Sequence, residues 1–163
     1  MSRQADMFHR PSDTGRSFWG PGDAYRFLVT GDESGGAYFV MEAIVPPGGG
    51  PPPHIHTRED ETFYVLEGEC EIHLGDETVT ARPGDFVNIP RGEVHNFHNA
   101  SSEPVRMILT FTPAGLEKFF EETLEPAQDL TQAPPDNLDE VAARFDEAAP
   151  RYGLEFIAPA VPT

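Results

Sequence analysis

His54-Ile55-His56 sets two imidazoles two residues apart. In a β-strand that spacing turns both rings to the same face. Glu61 follows at the head of the apolar alternation Phe63, Val65. A carboxylate leading an inward-facing row is costly to bury unless a cation or a hydrogen-bond donor compensates it. His95 comes later, in a β-prone segment after the turn Pro90-Arg91-Gly92. Three neutral imidazoles and one carboxylate suit Fe, Mn, Ni, Co, Cu or Zn better than Ca or Mg. The expected cofactor is therefore one divalent transition metal ion per chain, held by His54, His56, Glu61 and His95. Four protein ligands leave room at such an ion for a substrate, dioxygen or water, which is the mark of a catalytic rather than a structural site. His9, His73 and His98 have no such company and read as ordinary residues.

The elements that must position these side chains are short strands. Candidates run over 24–30, 37–45, 54–56, 61–67, 69–74, 77–82, 86–89, 94–98 and 105–111, separated by Gly/Pro-rich turns. Gly75-Asp76 has the length and composition of a two-residue hairpin turn. The stretch 46–53 holds too many prolines and glycines for a helix or a central strand. Many short strands with such turns predict an all-β sandwich or barrel. Residues 1–23 read as an irregular arm whose Phe8, Phe18 and Trp19 pack on the barrel or on a partner subunit. After the barrel, Thr112-Pro113 opens a helix with Leu116, Phe119, Phe120 and Leu124 on one face. Residues 126–135 read as a linker. Asn137 and Glu140 resemble a capping box before a second stripe of Leu138, Val141, Ala142 and Phe145. Both helices are expected on the outside of the barrel.

The length of 163 residues suits a single domain: arm 1–23, barrel about 24–112, helical tail 113–163. The one cysteine, Cys70, forms no internal bridge. No apolar run has the length of a signal peptide or a membrane span, so a cytoplasmic protein is expected. The net charge of −17 repels phosphate backbones and anionic lipid heads, which argues against nucleic-acid or membrane binding.

The glycines and prolines around the four ligands carry a family resemblance. Gly48, His54, His56, Glu61 and Gly68 meet every spacing of the first cupin motif; Gly84, Pro90, Gly92, His95 and Asn99 meet every spacing of the second. Asp60 would satisfy the looser histidine-to-carboxylate spacing but leaves Gly68 one residue out of register, which favours Glu61. The chain thus resembles single-domain cupins, and the resemblance implies a double-stranded β-helix, the jelly-roll class, with short C-terminal helices. Trp19-Gly20-Pro21-Gly22, the segment Gly115 to Glu122, and Ala148 to Ile157 make the layout similar to bacterial quercetin 2,3-dioxygenase-like cupins.

That likeness implies a metal-dependent dioxygenase. A flavonol or other phenolic or enol compound would reach the metal through a hydroxyl, with dioxygen as cosubstrate. Glu61 either completes the ligation or acts as base toward that hydroxyl. By strand parity Phe63, Val65 and Phe97 face the ligands, and Met107, Leu109 and Phe111 extend an apolar, aromatic substrate pocket. A cupin isomerase or decarboxylase and a non-catalytic small-molecule binder are the alternatives. A phosphosugar site would want several basic residues in the pocket, where only Arg58, Arg82, Arg91 and Arg106 lie near the barrel. Many small cupins pair, and a homodimer is expected.

Overall fold

The computed structural model describes residues 4–157; the ends of the expected arm and tail, 1–3 and 158–163, lie outside the described residues. Apolar residues alternating with polar ones build two antiparallel sheets. The larger contains β1 (Ser17–Trp19), β2 (Ala24–Val29), β3 (Phe39–Val45), β5 (Asp60–Glu67), β8 (Phe86–Ile89), β10 (Val105–Thr112) and β11 (Glu125–Ala127). Their order across the sheet is β11-β1-β2-β3-β10-β5-β8. The smaller sheet holds β4 (His54–His56), β6 (Cys70–Leu74), β7 (Glu77–Ala81), β9 (His95–His98) and β12 (Leu154–Phe156). Its order is β12-β4-β9-β6-β7. This is the expected double-stranded β-helix, a jelly roll with two short helices, α1 (Glu117–Thr123) and α2 (Leu138–Ala148).

Period-two burial makes the interior. Along β10, Val105, Met107, Leu109 and Phe111 are buried to within 2% exposure, while the residues between them are half-buried. Opposite them β3 contributes Phe39, Met41, Ala43 and Val45, and Phe39 stacks on Phe111 with centroids 5.5 Å apart. Each fully buried Val, Leu, Met or Phe among them stabilises the fold by roughly 1.5–3 kcal/mol. Cys70 is buried and unbridged, and burial pushes its thiol up to about 12, so it packs as a small apolar residue.

Turn chemistry then fixes the strand ends. Leu74 pairs with Glu77 across Gly75-Asp76, as the two-residue hairpin requires. In the Pro/Gly stretch, Gly48 N–H donates to Asn99 O and Asn99 N–H to Gly49 O, which ties the segment to the end of β9. Gly50 sits there at φ +127°, and any Cβ would collide with Phe97 O.

Several readings of the flanks change. Ser17–Trp19 is a strand rather than irregular arm, because Phe18 is buried against Phe27 (centroids 4.8 Å) and its edge is covered by β11 from the tail. Phe8, in contrast, is 43% exposed. The supposed linker begins with that same β11. The first helix begins at Glu117, four residues beyond Pro113. Glu117 is buried there and accepts hydrogen bonds from Gly31 N (2.8 Å) and Gly115 N (2.8 Å). Asn137 stands at the N-cap of α2 without capping it, since its side-chain amide donates to Glu125 Oε1 instead.

Asn99 closes the second motif as a fully buried hub. Its Nδ2 donates to Val45 O (2.9 Å) and Glu103 O (2.8 Å), and its Oδ1 accepts from Ser101 N (3.0 Å) and Ser101 Oγ (2.7 Å). Asn99→Ala strands these partners, at about 1–3 kcal/mol for each one left unsatisfied. The variant should unfold at a urea midpoint lower by roughly 1 M or more, and an unchanged midpoint would show the hub to be dispensable.

Candidate metal centre

β4 turns His54 and His56 inward, and the adjacent β9 brings His95 opposite His54. Glu61 arrives from the other sheet, on β5, paired with Phe111 and Ile89. All four side chains are buried, and one ligand atom from each lies within 4.8 Å of the others. Glu61 Oε2 is 2.8 Å from His95 Nε2 and 3.2 Å from His56 Nε2. The ring centroids stand 4.5–5.4 Å apart.

The surroundings orient each ring. His54 Nδ1 donates to Pro52 O (2.8 Å) and His95 Nδ1 to Glu93 O (3.0 Å), which leaves both Nε2 atoms toward the centre. Among the described residues His56 Nδ1 has no hydrogen-bond partner but faces the buried Glu59, whose Oε2 is itself unpartnered 3.9 Å away. A histidine whose outer N–H is held by a carbonyl or carboxylate is the usual metal-ligand arrangement. The residues therefore fit a transition metal: three inward imidazole nitrogens and one carboxylate could hold it.

Electrostatics agree with that use. Burial would raise Glu61, but the His56 and His95 rings overcome it and hold the carboxyl well below its ordinary range. Burial, reinforced by His56 and His95, pushes His54 down to about 3, so it stays a neutral donor. Burial lowers His95, yet its bond to Glu61 raises it overall. Asp60, the rival carboxylate, points outward on the same strand. Arg91 grips it through Nε to Oδ1 (3.1 Å) and a terminal nitrogen to Oδ2 (3.1 Å).

A cavity of about 40 Å³ opens over His54, His56 and Glu61. Of the residues expected to line it, Phe97, Leu109 and Phe111 do. Phe63, Val65 and Met107 face the same interior but are sealed in the core away from the cavity wall. Parity gave their direction correctly and could not give their depth. Phe111 pairs with Glu61 itself, whereas Met107 and Val65 pair with each other four residues further along each strand. None of Arg58, Arg82, Arg91 or Arg106 lines the cavity. They bond instead to Arg151 O, Glu69, Asp60, and the pair Glu42 and Glu67.

The rest of the wall comes from Met41 on β3, from Pro51, and from the flanks: Tyr25 on β2, Phe119 and Phe120 on α1, Phe145 on α2, and Leu154 and Phe156 on β12. The helices thus close the site rather than only covering the barrel exterior. Their apolar stripes were visible in the sequence, but not the surface they meet. Among the described residues, Tyr25 is the one polar wall residue besides His54, His56 and Glu61. Its hydroxyl donates to buried Asp23 Oδ2 (2.7 Å), and Asp23 Oδ1 has no partner among the described residues. Trp19-Gly20-Pro21-Gly22 builds this pair. Gly20 N–H donates to Asp23 O, and a Cβ on Gly20 would collide with Asp23 Oδ1 and the Tyr25 ring.

A family model described as Cupin domain matches residues 41–111. Two curated relatives are named quercetin 2,3-dioxygenase. That of Bacillus subtilis (strain 168) is 29% identical over 102 residues, covering 63% of this chain and 30% of its own. That of Aspergillus japonicus is 33% identical over 117 residues, 68% of this chain and 33% of its own. The chain spans about a third of the length of these relatives. Among solved structures, the polyketide cyclase RemF of Streptomyces resistomycificus superposes with a TM-score of 0.55 at 29% identity, over 67% of this chain and 80% of that one. Fold and site together define a double-stranded β-helix with a buried donor set that could bind a metal. The chain belongs to the cupin superfamily. No helix among the described residues is long and apolar enough to cross a membrane.

Burial raises Asp23 to about 7, against the lowering effect of the Tyr25 bond. A carboxyl whose folded value lies above its unfolded one stabilises the fold below the unfolded value, and that contribution is lost as pH rises through the folded one. Asp23 should therefore destabilise the protein progressively between pH ~4 and ~7. Asp23→Asn retains an acceptor for Tyr25 and removes this titration. Its stability relative to wild type should improve by a few kcal/mol from pH 5 to pH 8. A pH-independent difference in unfolding free energy would show that Asp23 does not titrate in this range.

Proposed function

We propose that the protein is a metal-dependent dioxygenase of the quercetin 2,3-dioxygenase type, acting on a flavonol or another phenolic or enol compound. The observation that carries this reading is the convergence of three imidazoles and one carboxylate, with His54, His56 and Glu61 on the floor of a cavity walled by aromatic rings. The names of the two curated relatives and of the polyketide cyclase favour an oxygenated ring compound over a sugar phosphate. The engagement of all four nearby arginines elsewhere points the same way.

His54, His56, His95 and Glu61 would hold one divalent transition metal ion, which supplies Lewis acidity and redox coupling to dioxygen when bound. The chain's own part is to bind, orient and deprotonate. The phenylalanines keep water out and present flat apolar faces to a ring. Glu61 Oε2, 2.8 Å from His95 Nε2 and 3.2 Å from His56 Nε2, either completes the ligation or takes the proton of the substrate hydroxyl. The oligomer we propose is a homodimer. Exposed Tyr64 and Leu66 on β5 and Phe86 on β8 give it an apolar face, with Tyr64 and Phe86 directly paired.

Elemental analysis of untagged protein should find one first-row transition metal per chain, absent from the His54→Ala/His95→Ala variant. Metal-loaded protein should consume dioxygen with quercetin or a simpler enol. Glu61→Gln should lower kcat by about 10²–10⁴-fold if the carboxylate is the base. Wild-type protein that takes up no metal from Fe, Mn, Ni, Co, Cu or Zn salts would defeat the dioxygenase reading and leave a binding module.

A further inference from the structure

The cavity over His54, His56 and Glu61 is too small for the substrate class just proposed. At about 40 Å³ it has room for about two or three water molecules. Directly outside it lies a cleft of about 420 Å³, lined by Pro21, Pro52, Ala142, Phe145, Asp146 and Phe156, with Ile157 at its edge. That volume falls within the range of small-molecule pockets, roughly 300–1,000 Å³. Among the described residues, Phe145 and Phe156 alone line both spaces. Their rings lie nearly parallel, 22° apart with centroids at 6.2 Å, and Phe156 is also 6.1 Å from the His54 ring. One layer of aromatic side chains therefore separates the outer cleft from a candidate metal ligand.

We propose that this outer cleft is the recognition site for a planar, hydroxylated ring compound, and that Phe145 and Phe156 decide which edge of it reaches His54, His56 and Glu61. The cleft supplies what such a molecule needs. Two prolines and two phenylalanines offer flat apolar faces, and the Asp146 carboxylate accepts a hydrogen bond from a ring hydroxyl. That carboxylate, on a chain of net charge −17, selects against an anionic ligand. Every lining residue except Pro52 lies outside the segment 41–111 that matches the cupin domain, so the cleft belongs to this chain's own flanks. The proposal rests on the dioxygenase reading for the chemistry at the inner site, but binding in the cleft does not require turnover.

The test is anaerobic calorimetric titration of metal-loaded protein with quercetin. The panel is wild type, Ala142→Trp, Phe156→Ala and the metal-free His54→Ala/His95→Ala variant. Ala142 is exposed on α2, so tryptophan there fills the cleft without entering the core. Ala142→Trp should weaken quercetin binding at least tenfold with metal content and melting temperature unchanged. The metal-free variant should still bind, more weakly. Phe156→Ala should speed metal removal by a chelator, because the partition is thinned. Binding that ignores Ala142→Trp, or no quercetin binding by wild type, overturns the cleft. Binding without oxygen uptake leaves the cleft standing and overturns the dioxygenase reading. Oxygen uptake with acetylacetone but no quercetin binding does the reverse.

Discussion

A carboxylate buried among three imidazoles in an apolar barrel is the constraint around which this molecule is arranged. Isolated, such a charge would cost many kcal/mol to bury. Glu61 is tolerable because His56 and His95 direct nitrogen atoms at it, and the protein fixes those rings from behind. Pro52 O and Glu93 O take the outer N–H groups of His54 and His95. Both acceptors are backbone carbonyls two residues before their histidines, so the turns leading into β4 and β9 set the ring orientation. The Pro/Gly stretch before β4 and the Pro90-Arg91-Gly92 turn before β9 are therefore part of the site, although they touch no ligand atom.

This explains why so much of the barrel could be read from the chain and so little of its cover. Motif spacing records local geometry. Residues two apart share a strand face, and a glycine at fixed distance marks where a turn must be tight. His54, His56, Glu61 and His95 were legible on those grounds, as was the choice against Asp60. Leu109 and Phe63 show where the reading ends. They pair across β10 and β5 and both face inward, yet only Leu109 reaches the cavity. Periodicity gives the face of a strand and not the depth along it. The flanking strands were hidden for a different reason. β1, β11 and β12 are three residues each, too short for a period to register. They exist because of partners more than ninety residues away, such as Trp19 with Glu125 and His54 with Phe156.

The hairpin from β1 to β2 places another buried acid, Asp23, behind the cavity wall. Among the described residues Asp23 has one side-chain donor, the Tyr25 hydroxyl, and one unpartnered oxygen. Glu61 and Asp23 therefore lie at opposite extremes in one protein interior. The first is held ionised by neighbouring imidazoles, the second is pushed toward the neutral acid by burial. Environment rather than residue type sets the difference. A neutral acid backing Tyr25 adds a hydrogen bond to the cavity wall without adding a second negative charge to compete for a cation.

The tail couples the cover of the site to the ligands themselves. β4 carries two of the four ligands on three residues, and its register with β9 is a single pair, His54 with His95. Its other edge is paired with β12 along its whole length, Leu154 with His56 and Phe156 with His54. Thr57 N–H to Gly153 O and Ile157 N–H to Pro53 O extend that ladder at both ends. The ligand strand therefore takes more of its backbone order from the C-terminal segment than from the barrel. The same segment supplies Leu154 and Phe156 to the cavity wall. A movement of β12 that widened the cavity would also release the strand holding His54 and His56. The economical way to admit a ring is rotation of the Phe145 and Phe156 side chains on a fixed backbone, which leaves the ligand strand in place.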